Sequence, residues 1–372
     1  MLIYVFINYN CVILFKNFVN FLKSFNVIGV MSGTSTDGLD IALCTFEYDN
    51  DFSFKIVKTN FIPYDINIKQ KLFKAYRYSG VKLRELDNYF GEFISDKLND
   101  TISNNDVKID LIASHGHTIF HRPDLKFTLQ IGNGEVIAKN TGIPVVYDFR
   151  SGDVALGGQG APLVPMGDEL LFGNYSACLN LGGFSNISFK NHNGQRVAYD
   201  ICPVNIIINK YANKLNLEYD INGKFASEGQ TIHGLLKELN SLEFYSLKPP
   251  KSLGREWVEK HIQNILDKYS HKNIKDIINT LTIHISQQIS KNLNQLENVL
   301  VTGGGAYNKF LIENIKQRTD TKIVIPDSKI IDFKEAMVFA FLGLLRYLNM
   351  TNCFASVTGA KRDSCCGVLC MP

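Results

Sequence analysis

Three apolar runs in this 372-residue chain each end in a glycine-rich polar turn: GVMSGTSTDG from Gly29, LNLGGFSN from Leu179 and VLVTGGGAYN from Val299. Glycine lets a backbone turn with positive φ and lets N–H groups approach an anion with no Cβ in the way. Around these turns the order of strands followed by helices occurs twice. Apolar strand segments lie at VIGVMS, FKIVKTNFIPY, IDLIASHG, ACLNLGGFSNISFK, RVAYDICP, ENVLVTGGG and TKIVIPD, and helical periodicity at 66–103, 204–215, 231–239, 256–296 and the stretch KEAMVFAFLGLLRYLN. The length exceeds what one small core needs. The pattern predicts an α/β protein of two domains, each with a mixed sheet, facing a cleft. Residues 1–26 form an extension of uncertain structure, 27–145 plus the C-terminal tail form domain I, and 146–345 form domain II. Gly132–Gly134 or the Arg150 region carries the crossing between them.

Apolar residues make up 45% of the chain and charged residues 20%, with a net charge of +3, so no basic footprint for nucleic acid is present. Eight cysteines occur without a C-x-x-C pair, which reads as reduced thiols in a cytoplasmic protein rather than a disulfide framework or zinc site. The opening segment MLIYVFINYNCVILFKNFVNFLKSF is rich in Phe, Ile and Asn, but polar residues interrupt it before it reaches spanning length. Three readings stand for it: an unstructured or translation-artefact extension, an added helix, or a membrane anchor. The first of these is preferred, and no membrane partner is expected.

The first glycine turn adds hydroxyls and a carboxylate: Gly33, Thr34, Ser35, Thr36, Asp37, Gly38. Hydroxyls donate to phosphate oxygens. A carboxylate repels them, and fits beside them when it holds a divalent cation, directly or through water. The competing reading of any single turn is an ordinary hairpin. Neither a Walker A motif nor a dinucleotide G-x-G-x-x-G at a strand–helix junction is present, so a nucleotide here needs another architecture.

The densest polar constellation is DFRSGDVALGGQGAPLVP, from Asp148 to Pro165. Asp153 precedes a loop too glycine-rich for a helix or strand interior. A carboxylate there suits proton acceptance at a nucleophile, and Arg150 suits a carboxylate or phosphate partner. The alternative is structural: Asp153 caps a helix or turn, and Arg150 pairs with Asp148. His115, His117 and His121 in SHGHTIFH invite a metal reading, but no carboxylate or cysteine stands at a supporting spacing. Hydrogen-bonded histidines are preferred, with no protein-held metal site.

Taken together, GVMSGTSTDGLDIAL, ASHGHTIFHRP, TLQIGNGEVIA, TGIPVVYDFRSGDVALGGQGAPLVP, LNLGGFSNIS, LVTGGGAYN and SVTGAKRD resemble the anhydro-N-acetylmuramic acid kinases of bacterial cell-wall recycling, from about Val27 to Leu369. The resemblance implies two ribonuclease-H-like domains of the sugar kinase, Hsp70 and actin type, with ATP in the cleft and Mg²⁺ on its phosphates. It implies that Gly33, Thr34, Ser35, Thr36, Asp37, Gly38, Leu39 and Asp40 form the phosphate loop. Gly182 and Gly183, with Gly303, Gly304 and Gly305, would contact phosphate and nucleoside. Asp153 matches the catalytic aspartate and Glu335 a glutamate lining the sugar site, and Arg150 is expected to bind substrate as well. The implied activity is ATP-dependent opening and 6-phosphorylation of 1,6-anhydro-N-acetylmuramic acid, in the cytoplasm, by a homodimer.

Some positions depart from the family pattern. Ile201, Cys202 and Val204 stand where Thr, Gly and Gly are usual, Leu253 where threonine is common, and His117 where glutamine is frequent. Loss of a glycine at Cys202 is expected to change the permitted backbone geometry. Two other functions fit the architecture: a kinase for another sugar, and an ATP-binding regulatory protein.

Overall fold

A computed structural model describes residues 24–103 and 107–372. The N-terminal segment with three readings lies outside the described residues, and the first strand begins at Ser24. In chain order the strands are β1 (Ser24–Ser32), β2 (Gly38–Asp49), β3 (Asp51–Pro63), β4 (Leu111–Arg122), β5 (Phe127–Ile131) and β6 (Val145–Tyr147). They continue as β7 (Ala177–Leu181), β8 (Phe184–Lys190), β9 (Arg196–Pro203), β10 (Asn298–Thr302), β11 (Lys322–Val324) and β12 (Val368–Cys370).

The chain divides into two compact units, one ending at Leu171 and resuming at Phe333, the other Phe172–Asp332. In the first unit the sheet order is β12-β6-β4-β1-β2-β3, with β5 paired to β4. β1 runs antiparallel to β2 and parallel to β4, and β4 runs parallel to β6. In the second unit the order is β11-β10-β7-β8-β9. β7 runs antiparallel to β8 and parallel to β10, which is parallel to β11. Each sheet is thus a three-stranded antiparallel meander extended by two parallel strands beside its first strand. This duplicated order is the ribonuclease-H-like arrangement of the sugar kinase, Hsp70 and actin type, as the resemblance implied.

The strand β1 is buried along almost its whole length because helices cover both faces. On one face the helix Gly80–Ser103 presents Leu86, Phe90, Ile94 and Leu98, a helical stripe that enters the core. On the other, the helix Ser328–Tyr347 approaches so closely that a Cβ on Gly29 would collide with the Ala336 carbonyl, and one on Gly343 with Ala113. β3, at the sheet edge, alternates exposed and half-buried residues and carries Lys55 and Lys58.

The unit boundaries differ from the sequence reading, which assigned 146–345 to the second domain. Residues up to Leu171 and from Phe333 onward belong to the first unit. Val145–Tyr147 joins the first sheet between β4 and β12, and the packing of Gly29 and Ala113 against the helix anchors residues beyond Phe333 there.

In the second unit the helix Ile274–Leu293 buries Ile277, Ile278, Leu281, Ile285 and Ile289. His284 lies among them, 2.8 Å from Asn240 Oδ1 and 3.0 Å from the Tyr245 hydroxyl. A neutral imidazole donates to the amide oxygen and accepts from the phenol. Burial pushes its pKa down to about 3. The unfolded chain therefore binds a proton at this residue between about pH 6.5 and 3 where the folded chain does not. That stability is present above the unfolded value and is lost as pH falls. Lowering the pH from 7 to 5 is expected to cost about 2 kcal/mol through this residue. Urea unfolding of the protein and of His284→Gln at both pH values checks it, with the variant showing the smaller loss.

Candidate active site

Asp153 sits in the short helix Ser151–Ala155 and is wholly buried. Its Oδ2 accepts from the Gly160 N–H at 2.7 Å. Its Oδ1 accepts from the Thr358 hydroxyl at 2.7 Å and from the Cys353 thiol at 3.2 Å. A carboxylate has about four acceptor positions, so about one remains on Oδ2. Gly158 lies there, and a Cβ at that residue would overlap Oδ2. The absent side chain lets the loop close against that oxygen. Asp153 does not cap its helix. Asp148, at φ 51, takes that place and accepts from Ser151 N.

Arg150 pairs with neither Asp148 nor Asp153. Its Nε donates to His115 Nε2 at 2.9 Å and its Nη1 to the Gly160 carbonyl at 2.7 Å. His115 Nδ1 lies 2.9 Å from the Gly116 carbonyl, so the ring is the neutral Nδ1–H form. Burial and the neighbouring guanidinium hold its pKa well below the ordinary histidine value. Gly160 thus joins the two groups, accepting from Arg150 through its carbonyl and donating to Asp153 through its N–H. Desolvation lowers the Arg150 pKa to about 10, against the opposing pull of Glu335. Glu335 keeps an exposed surface while surrounding protein crowds its carboxyl group. That crowding raises its pKa, and Arg150 and Lys334 act against the rise. The buried pair Lys334–Asp168, at 2.6 Å, fixes this part of the helix against the helix Pro165–Leu171.

The first glycine turn joins β1 to β2 next to this cluster. Thr34, Ser35 and Asp37 are exposed, Thr36 adopts φ 58, and Thr36 N donates to Gly33 O at 3.1 Å. Gly38 is required by close approach: a Cβ would meet the Ile62 carbonyl and the Phe61 ring. Leu39 points into the core, which removes its side chain from any ligand surface. Below the turn, the Tyr64 hydroxyl donates to Ser32 Oγ at 2.7 Å, and Ser32 passes its hydrogen to His117 Nδ1 at 2.9 Å. Burial keeps His117 neutral, with a pKa of about 4. Each histidine of SHGHTIFH is hydrogen-bonded, since His121 Nδ1 lies 3.1 Å from Thr128 Oγ1.

In the second unit, Gly182–Gly183 and Gly303–Gly305 come together because β7 and β10 are parallel neighbours. Gly303 has φ 81, and a Cβ there would strike Asn180 and Leu181. At Gly305 a Cβ would meet Leu181, whereas Gly304 faces open space toward Asn205. The Gly182 and Gly183 carbonyls accept from Asn205 N and Val204 N at 3.2 and 2.8 Å. The departures nearby leave this frame intact. Cys202 is a buried strand residue without positive φ, so the expected change of backbone geometry does not arise there. Leu253 contributes its N–H, which donates to Asp200 Oδ2 at 2.8 Å.

Thr358, Cys353, Gly158 and Gly160 had no separate role in the sequence reading. The motif SVTGAKRD was the available signal for Thr358, and the structure gives its reason. Gln159 N donates to Thr358 O at 2.8 Å and Lys361 N to Leu156 O at 3.2 Å, which stitches this segment onto the Asp153 loop. Replacing Thr358 by Val removes one hydrogen bond to a carboxylate, about 1.5 kcal/mol or more, and is expected to lower kcat about ten-fold or more. Thr358→Ser should recover most of the rate, and steady-state kinetics of both variants checks this.

The family model for anhydro-N-acetylmuramic acid kinase matches residues 25–372. A protein of that name from Hydrogenovibrio crunogenus is 36% identical over 93% of this chain and 98% of its own length. Others from Francisella tularensis subsp. novicida and Haemophilus influenzae are 36% and 34% identical, each over 90% of this chain and over 95% and 94% of their own lengths. With its motifs, duplicated sheets and near-complete coverage, the chain belongs to the anhydro-N-acetylmuramic acid kinase family.

Proposed function

We propose that this chain couples hydrolytic opening of 1,6-anhydro-N-acetylmuramic acid to phosphorylation of the released oxygen 6, giving N-acetylmuramic acid 6-phosphate and ADP. The observation that carries the reading is Asp153, a buried carboxylate held by three donors with an acceptor position left on Oδ2. A water on that oxygen gives its proton to Asp153 as its oxygen bonds to the anomeric carbon. The bond from that carbon to bridging oxygen 6 breaks, and oxygen 6 takes the γ-phosphoryl group of ATP. Expulsion is easier when the developing charge on oxygen 6 is captured as it forms.

Arg150 and Glu335 suit the sugar, one as a donor fork set by His115 and Gly160, the other as an acceptor. The exposed hydroxyls of Thr34 and Ser35 suit phosphate oxygens, as do the N–H groups around Gly33, Gly182–Gly183 and Gly303–Gly305. Asp37, beside those hydroxyls, offers hard oxygen ligands suited to Mg²⁺, and Asp40 follows on β2. A bound Mg²⁺ would supply neutralisation of phosphate charge. A cytoplasmic setting belongs to the same reading and is supported by seven free cysteines among the described residues. Among those residues no helix is long and apolar enough to cross a membrane. A homodimer rests on family membership alone.

Incubation with ATP and the anhydro sugar in ¹⁸O-labelled water, read by mass spectrometry, tests the proposal. The label should enter the anomeric hydroxyl and not the phosphate, and Asp153→Asn should bind nucleotide while losing turnover. Label in the phosphate, or a wild-type rate for Asp153→Asn, would overturn the assignment. Phosphorylation of other sugars but not this one would select the second kinase reading, and ATP hydrolysis indifferent to the sugar would select the regulatory one.

A further inference from the structure

Gln130, on β5, has an amide whose two ends differ in their surroundings. Its Nε2 lies 2.8 Å from Thr128 Oγ1 and 3.2 Å from Thr118 Oγ1. Its Oε1 is sealed from solvent and has no hydrogen-bond partner among the described residues. The network sets which end is which. The Thr128 hydroxyl lies 3.2 Å from the Phe120 carbonyl and 3.1 Å from His121 Nδ1. Burial lowers the His121 pKa and the Gln159 backbone acts against that, as an acceptor facing the other ring N–H does, which leaves Nδ1 as the acceptor toward Thr128. Thr128 has one hydrogen, and these two acceptors compete for it. Gln130 must therefore donate to Thr128, which leaves its carbonyl oxygen as the orphan.

A buried orphan acceptor is costly, about 1–3 kcal/mol, and native proteins rarely retain one without a partner. This one lies on a run of polar groups that leads toward Asp153. Gln130 bonds Thr128 and Thr128 bonds His121, on which the Gln159 backbone acts electrostatically. Gln159 N bonds the Thr358 carbonyl, whose hydroxyl bonds Asp153. The helix bearing Asp153 also packs directly on β5.

We infer that Gln130 is a substrate-binding residue whose Oε1 accepts a hydrogen bond from a neutral donor of the sugar. The inference rests on the function proposed above. In 1,6-anhydro-N-acetylmuramic acid the anhydro bridge occupies oxygens 1 and 6, and the lactyl ether occupies oxygen 3. Two donors remain on the ring substituents, the acetamido N–H and the 4-hydroxyl. The lactyl carboxylate is an acceptor and is repelled by Oε1. A site built around such an acceptor rejects analogues that lack the matching donor, because the buried oxygen is then left bare.

The test is calorimetric binding of the anhydro sugar, its 4-deoxy analogue and its analogue without the acetamido group, to wild type, Gln130→Met and Gln130→Glu. Gln130→Met is expected to bind the sugar about ten-fold or more weakly, with KM for ATP and the melting temperature unchanged. Wild type should disfavour one analogue by a similar factor, and Gln130→Met should bind that analogue and the sugar alike. Gln130→Glu keeps an acceptor, since both threonine hydroxyls can turn to donate to it, and should retain the discrimination. If Gln130→Met fails to melt cooperatively, discrimination by Gln130→Glu decides the matter. Sugar binding by Gln130→Met within two-fold of wild type, or an unchanged analogue penalty, overturns the inference and leaves the proposed reaction standing. Wild type that neither binds nor turns over the sugar overturns both.

Discussion

A carboxylate removed from water must be met by donors, because its lost hydration costs several kcal/mol when nothing replaces it. Asp153 is wholly buried, and its donors come from two stretches of chain some 200 residues apart. Gly160 is local, whereas Thr358 and Cys353 arrive with the C-terminal segment. That segment must therefore return to the first unit. It does so through the pairing of Cys353 with Ser364, the Asn352 side chain bonded to the Cys366 backbone at 2.8 and 2.6 Å, and β12 beside β6. Much of the chain's last 20 residues is organised around one acid.

Backbone proximity supplies the rest of the positioning. Gly29 admits the helix Ser328–Tyr347 to the face of β1 at the Ala336 carbonyl, which places Lys334 and Glu335 at a fixed depth along the sheet. Lys334 is held by Asp168, and Arg150 by His115 and Gly160. Lys334 is thus neutralised by an acid, whereas Arg150 is held by uncharged partners and acts on Glu335 through space.

The departures from the family pattern show how a frame tolerates substitution. Cys202 lies in a strand conformation open to any residue, with its thiol 3.3 Å from the Ser185 hydroxyl. Leu253 is used through its backbone, so the loss of a threonine hydroxyl leaves the bond to Asp200 in place. His117 keeps a polar contact to Ser32 beneath the first glycine turn. In each case the surroundings engage what the substitution preserves.

The alternation of strands and helices, the three glycine turns and the candidate aspartate Asp153 were legible in the residues, because periodicity, glycine and local spacing are properties of short segments. The motif set also sufficed for the family. What remained closed to the sequence was every assignment that depends on partners distant along the chain. Asp153 as a cap and Asp153 as a base have the same local spacing, and the partners from Cys353 and Thr358 show only in the fold that its carboxylate is not spent on capping its helix. The unit boundary was misplaced for the same reason, since β6 and the end of the helix Ser328–Tyr347 take their membership from pairing and packing. Sequence determined the elements and the chemistry available to them. Tertiary structure decided which groups lose water together, and so which of them must be satisfied by one another.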